Sequence, residues 1–218
     1  MNKKLFLGMF VAASMLFATS CSNDDLETVQ SGNVAQVTFS LGLENGIGGR
    51  DISDGTGAKK LVYAVYNANG ELIKTIKNAD ANGQFVNNNA FNNNSEASVE
   101  LRLAKGQQYT VAFWAQNPSC TAYTTTDLTN VTVNYAGLNN DETRDAFFKA
   151  ETFTVTGDAT IPVVLKRPFA QINVGVYEDD WEAAKASEIE IKKSKVTIAE
   201  AATSINLLTG KVDGKTTV

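Results

Sequence analysis

The sequence contains no histidine, and it is poor in cysteine (two), proline (three) and tryptophan (two). A chain without histidine has no Ser-His or Cys-His nucleophile pair, and it lacks the commonest zinc ligand. It also has no Gly-rich phosphate loop, no CxxC pair and no G-x-S-x-G motif. Paired carboxylates remain open as a catalytic device, but we expect a protein that is not an enzyme and that uses no metal and no cofactor.

The first 20 residues read as a secretory signal. Lys3 and Lys4 make a cationic start, an apolar run covers residues 5–18, and small residues lead to Cys21. The run is too short to span a bilayer, which needs about 20 apolar residues. A cysteine at this place resembles the bacterial lipobox, although Ala18 stands where leucine is commoner. The resemblance implies lipid on Cys21 and a membrane anchor; the alternative is an ordinary signal peptide with an incidental cysteine.

An acidic, polar stretch follows the cysteine, and we predict a flexible tether over residues 21–33. Its carboxylates at Asp24, Asp25 and Glu27 lie within six residues of Cys21. Such a patch resembles the export signal that sends lipoproteins to the outer face of the outer membrane in some Gram-negative anaerobes. A solvated tether is the simpler interpretation, because these residues bury no apolar surface. The two interpretations are compatible.

Charge and cysteine content limit the partners. Removing residues 1–20 takes away two lysines and no acid, so the net charge falls from −5 to −7. This charge excludes a nucleic-acid partner, which needs clustered Lys and Arg, and it suits a solvated cell-surface domain. With lipid on Cys21, Cys120 has no partner for an internal disulfide.

Alternating apolar and polar residues predict β-strands throughout residues 34–167. Seven or eight short strands in this length predict an all-β protein with a Greek-key sandwich. We also predict a hairpin in which Asn69-Gly70 returns the chain through 72–76, and a long Asn-rich surface loop at 78–94. A continuous apolar run at 61–66 is typical of a central strand. The predicted core residues are Val37, Phe39, Leu41, Tyr63, Val65, Val99, Leu101, Val111 and Phe113.

A boundary is predicted at Arg167-Pro168, since proline cannot donate a hydrogen bond inside a sheet. Beyond it, alternation at 170–176 and 189–198 predicts the start of a second β-unit over residues 168–218, with a short helix at 179–186. This segment is near the lower size limit for independent folding. Either it is an incomplete second domain, or its last strands pair back onto the first.

Two residue sets have both a functional and a structural interpretation. The segment 139–145 (Asn-Asn-Asp-Glu-Thr-Arg-Asp) has the oxygens for calcium but not the spacing of a calcium loop, so a polar turn is favoured. Trp114, Tyr123 and Tyr135 offer an aromatic platform for glycan stacking. Aromatic residues in alternating strands are more often core or cross-strand pairs, which is the favoured interpretation.

The order of these features resembles the fimbrillin-like superfamily, the lipoprotein pilins of oral and gut Gram-negative anaerobes. The likeness rests on the lipobox with its acidic tether and on the segments 35–41, 61–70, 105–115 and 164–174. It covers most of residues 1–176 and implies a transthyretin-like sandwich. The C-terminal third departs from the family, whose members usually carry a whole second sandwich there.

The resemblance also implies a mechanism of assembly. In the family, an arginine-specific protease cuts the loop after the first strand, and a strand from the next subunit fills the groove that is opened. Arg50 and Asp51 lie at that place, in a Gly-rich loop that a protease can reach. An ordinary solvated loop arginine is the alternative.

We therefore expect a lipid-anchored, surface-exposed outer-membrane protein that is a structural or adhesive subunit of fimbriae, with other fimbrial subunits and the membrane as partners. The alternative is a non-polymerising outer-membrane lipoprotein that binds glycan or another host or bacterial surface ligand.

Overall fold

The computed structural model describes residues 33–44, 55–137, 141–170, 175–190, 192 and 195–218. Nearly all of its regular structure is β, which confirms the predicted all-β class. One short helix, α1 (Glu178–Ala186), lies where a helix was predicted. The strands are β1 (Val34–Leu43), β2 (Lys60–Asn67), β3 (Gln84–Asn87), β4 (Glu96–Ala104), β5 (Gln108–Gln116), β6 (Tyr123–Thr124), β7 (Val131–Val133), β8 (Ala146–Thr154), β9 (Ala159–Leu165), β10 (Ala201–Ile205) and β11 (Val212–Thr216).

These strands form three sheets that stack as layers. The first has the order β4-β1-β9, the middle one β3-β2-β5-β8, and the third β11-β10-β7-β6. One apolar cluster fills the space between the first and middle sheets, and a second fills the space between the middle and third sheets. The middle sheet is thus buried on both faces, which explains why β2 reads as a continuous apolar run rather than an alternating one.

Neighbouring residues of β5 show the two-sided burial directly. Phe113 belongs to the first cluster and Trp114 to the second, and both are fully buried. Successive side chains of a strand point to opposite faces. Every predicted core residue lies in the first cluster or packs against it; Tyr63 is only partly buried, and it stacks on Phe85 at 4.6 Å between ring centroids.

The predicted return strand at 72–76 was wrong, and so was the unbroken loop at 78–94. Asn69-Gly70 makes the expected turn, since Gly70 has a φ of 77° and its N–H bonds to the Asn67 carbonyl. Leu72 then forms only an isolated bridge with Tyr66 before the chain turns away. The edge of β2 is taken instead by β3, at 84–87 inside the Asn-rich segment.

The C-terminal strands also lie elsewhere than predicted. Residues 171–174, 191, 193 and 194 lie outside the described residues. Ile189, Val196 and Ile198 are described, belong to no strand and are exposed. The strands are β10 and β11, and β10 pairs with β7 of the preceding region. The last strands thus pair back, which was one of the two alternatives; the division at 167/168 stays a prediction. Among the described residues, no helix is long and apolar enough to cross a membrane.

Candidate functional site

The first strand occupies the centre of its sheet. β1 pairs antiparallel with β4, where Val34 faces Ala104 and Gly42 faces Glu96. On its other edge it pairs parallel with β9, where Val37 faces Ala159. Both backbone edges of β1 are therefore satisfied by strands that come later in the chain. Removing β1 would leave two unpaired edges facing each other across one strand width.

The inner face of β1 fills a row of apolar pockets. Alternate residues are at most 8% exposed, and Phe39 is completely buried. The Phe39 ring meets Phe113 and Phe153 edge to face, at centroid distances of 5.3 and 5.4 Å. The outer face carries small and polar residues. This one-sided burial defines the register of β1, because a slip by one residue would turn the whole apolar row outward. The buried row is Ala35, Val37, Phe39, Leu41 and Leu43.

Contacts at its ends hold β1 in place. At its start, the Gln36 N–H donates to Oδ1 of Asp158 at 2.9 Å. At its end, the Glu44 N–H donates to the carbonyl of Leu165 at 2.9 Å, which continues the ladder with β9. The strand is thus anchored in the fold by side-chain packing and by backbone bonds along its whole length.

The predicted cleavage site lies in the stretch of sequence between β1 and Gly55. Arg50 and Asp51 lie outside the described residues, as do Cys21, Asp24, Asp25 and Glu27, so their roles stay predictions. The described chain resumes at Gly55, which has a φ of 79° and sits against Phe147. A Cβ on Gly55 would come within 2.7 Å of the Phe147 ring, so only glycine fits there.

A largely buried ion pair lies beside Gly55, and the sequence did not indicate it. Arg167 binds Asp145 through two parallel hydrogen bonds of 2.8 Å, from Nε to Oδ1 and from Nη2 to Oδ2. The guanidinium also lies 4.6 Å from the centre of the Phe147 ring. Such bidentate pairs are strong and geometrically specific. Arg167 therefore links the end of β9 to the start of β8, next to Gly55, where the described chain resumes.

The segment with possible calcium ligands is a polar turn in its described part. Residues 139 and 140 lie outside that part. Oδ1 of Asp141 accepts bonds from the N–H and the hydroxyl of Thr143, and these bonds lower the pKa of the Asp141 carboxyl. The Asp145 carboxylate is engaged by Arg167. No cluster of acidic or sulfur ligands suited to a metal occurs among the residues described.

Of the three aromatic residues, Trp114 is internal, and Tyr123 and Tyr135 are half-buried. Trp114 is fully buried and donates from Nε1 to Oε1 of Gln116 at 2.8 Å. The Tyr123 hydroxyl donates to the Arg144 carbonyl, and that of Tyr135 donates to the Ala202 carbonyl at 2.6 Å. Burial raises the pKa of Tyr123 above its ordinary value. The third sheet covers Trp114, and Tyr123 of that sheet packs on it edge to face at 5.1 Å between ring centroids. For this pair, the core-packing interpretation is the one observed.

A family model matches residues 28–218 of the chain. The chain belongs to the family of unknown function DUF6562. The match covers every described strand of this DUF6562 protein, including β10 and β11. No curated protein matches the sequence.

Several solved structures match part of this chain at low identity. A candidate polysaccharide-binding protein (DUF1812) from Bacteroides thetaiotaomicron has 14% identity and a TM-score of 0.39, over 61% of this chain and 47% of that one. A candidate adhesin from Bacteroides ovatus has 13% identity and a TM-score of 0.35, over 62% and 46%. A fimbrial assembly protein from Parabacteroides distasonis has 12% identity and a TM-score of 0.37, over 85% and 72%. The DUF6562 chain thus matches less than half the length of the first two.

Proposed function

We propose that this chain is a surface-exposed outer-membrane lipoprotein, not an enzyme, that serves as a structural or adhesive subunit of fimbriae and assembles by exchange of β1. The observation that carries the proposal is the position of β1. It is a central strand, apolar on one face, and a Gly-rich stretch of the sequence joins it to β2. Cleavage between Arg50 and Asp51 within that stretch would leave β1 held by non-covalent contacts alone. The transthyretin-like Greek-key topology belongs to the same proposal.

The energetics explain why cleavage and assembly would be coupled. Burying a Val, Leu or Phe side chain is worth about 1.5–3 kcal/mol, so the four large residues of β1 contribute roughly 6–12 kcal/mol. The net stability of a whole domain is about 5–15 kcal/mol. If the cut strand left before its replacement arrived, the free energy lost by exposing its apolar pockets would therefore be comparable to the net stability of the whole domain. Displacement has to proceed with the incoming strand pairing as β1 leaves.

The groove sets requirements for its donor. An incoming strand has to carry Val-, Phe- and Leu-sized residues at alternate positions, and it gains main-chain bonds from the free edges of β4 and β9. The C-terminal strand β11 of this chain does not meet these requirements, because it has the sequence Val-Asp-Gly-Lys-Thr and is largely exposed. The donor would be a strand of a partner subunit with the alternation seen in β1.

The lipid defines two forms of the subunit. Lipid on Cys21 and the acidic residues after it would place the uncut protein on the outer surface. Cleavage at Arg50 would release the polymerising form from its lipid together with β1. An uncut form would keep both and would serve as an anchor.

Strand exchange can be tested with a peptide. Purified protein is digested with an arginine-specific protease and mixed with a fluorescent peptide of the β1 sequence, residues 34–43. We expect the cut protein to incorporate the peptide and the uncut protein to exclude it. An Arg50→Ala variant should stay uncut and exclude the peptide. Arg102→Ala, on the exposed face of β4, is the matched control and should behave like the original protein. Equal incorporation by cut and uncut protein, or none by the cut protein, would refute exchange.

A further inference from the structure

A polar cleft lies on the face of the middle sheet opposite the one that packs against β1. It has a volume of about 360 Å³ and opens between the β2–β3 connection and the loop before β7. This volume lies within the range of ~300–1,000 Å³ that small-molecule sites have. Its polar lining includes Gln84, Asn82 and Asp127, and its apolar lining includes Tyr66, Leu72 and Leu128.

Two of its lining residues are largely buried, and the polar ends of their side chains have no protein partner among the described residues. Gln84 is 4% exposed and Tyr66 is 2% exposed, and both line the cleft. Within the described part of the chain, neither the Gln84 amide nor the Tyr66 hydroxyl makes a hydrogen bond. In that same part, no fully enclosed side-chain N or O atom lacks a partner. The small exposed area of each residue therefore includes its polar atoms, and that area faces the cleft.

Asp127 adds an acceptor at the edge of the cleft. Its Oδ1 is taken up by the N–H and hydroxyl of Thr129, at 2.8 and 2.7 Å. These bonds fix the carboxylate and leave Oδ2 without a hydrogen bond to any residue in the described ranges. Burial, with the nearby Asp127 charge, raises the pKa of Tyr66. The phenol therefore stays protonated and keeps its donor.

We propose that this cleft binds one unit of a neutral sugar. A sugar hydroxyl both donates and accepts, and the Gln84 amide, the Tyr66 hydroxyl and the Asp127 carboxylate together supply both kinds of partner. Apolar contact comes from the half-buried Leu72, which suits the C–H face of a sugar ring. The charged lining is one cation, Lys74, and one anion, Asp127. Their balance gives no net attraction for a charged ligand.

A ligand in the cleft can therefore bond to both groups without displacing a protein partner. A bound sugar would pair the Tyr66 hydroxyl and the Gln84 amide together, because both residues line one cleft. Ordered water can bond to the same atoms and would give the cleft no selectivity for a ligand. The experiment therefore has to distinguish a hydrated cleft from one that binds sugar. The inference does not depend on strand exchange, because the cleft lies on the other face of the middle sheet.

The test is a titration of the uncut, ¹⁵N-labelled protein with the methyl glycosides of glucose, galactose, mannose and N-acetylglucosamine. We expect at least one to cause saturable shifts in ¹H–¹⁵N spectra, confined to the Gln84 side-chain amide and to residues 126–129. Tyr66→Phe and Gln84→Met should each weaken binding about three- to tenfold, the loss of one hydrogen bond. Tyr177→Phe and Gln108→Met, both at exposed positions, are the matched controls and should bind normally.

Stability separates a binding role from a structural one. Because the Tyr66 hydroxyl has no protein partner, Tyr66→Phe should leave the melting temperature equal or higher while it weakens sugar binding. No shift with any of the four glycosides at 100 mM would overturn the proposal. Shifts scattered outside the cleft would overturn it as well.

Discussion

Replacing Phe39 by alanine tests the packing of β1 most sharply. Phe39 is fully buried and contacts Phe113 and Phe153 edge to face. Truncating a buried Phe costs about 3–5 kcal/mol, through the lost transfer energy and the cavity that remains. Its backbone pairs with Val99 and Ile161 remain available, because the substitution changes only the side chain. We therefore expect the whole loss to come from the inner face of the strand.

The measurement is urea unfolding followed by tryptophan fluorescence, with Ser40→Ala as the control. Ser40 follows Phe39 but points to the exposed face, so its replacement should change the free energy of unfolding by less than about 0.5 kcal/mol. In the cut protein, Phe39→Ala should also speed the loss of β1 about a hundredfold or more, since 1.4 kcal/mol corresponds to a factor of ten. A cost below about 1 kcal/mol with an unchanged denaturant slope would refute the assigned face of β1.

Three further changes test other parts of the account. Asp145→Ala should cost about 3–5 kcal/mol, because it leaves the Arg167 guanidinium buried beside Phe147 without its carboxylate; the double change Asp145→Leu, Arg167→Met should recover much of that loss in the same unfolding assay. Burial raises the pKa of Tyr63 to about 12. The stability that depends on the neutral Tyr63 phenol is therefore complete below pH 10 and is lost as the pH rises towards 12. In an alkaline titration followed by tyrosinate absorbance, Tyr63→Phe should lose the ionisation step near pH 12. Cys21→Ala should abolish labelling by a fatty-acid probe in cells, and retained label would refute the lipid site.

Strict alternation made the first sheet predictable. β1 and β4 each have one buried and one exposed face, and the period of two assigns every side chain to a face. The same period in β5 assigns Phe113 and Trp114 to opposite faces, and the structure has them in different apolar clusters. What the pattern did not show is that a third sheet covers the Trp114 side.

The missed features depend on contacts between distant parts of the chain. β3 lies in an Asn-rich stretch and forms because Asp80 turns the chain back to β2, accepting bonds from the N–H groups of Asn82 and Gln84. β10 is short and half polar, and it is stabilised as a strand by pairing with β7, some 70 residues earlier. Local propensity carries little information about such partners.

The cleft and the ion pair were missed for the same reason. Tyr66, Gln84 and Asp127 come from three separate segments, and no spacing in the sequence relates them. Arg167 was recognised only as a neighbour of Pro168, while its partner Asp145 was assigned to a polar turn. The fold brings Arg167 and Asp145 together, because β8 pairs with β5 and β9 pairs with β1.

The N-terminal sequence of protein taken from the cell surface tests the central claim most directly. Polymerised material should begin at Asp51, with no lipid, because cleavage after Arg50 is proposed to free β1 for exchange. A minor lipidated form beginning at Cys21 is compatible with an anchor subunit. If every surface molecule begins at lipidated Cys21 and none is cut, the account of β1 exchange is contradicted.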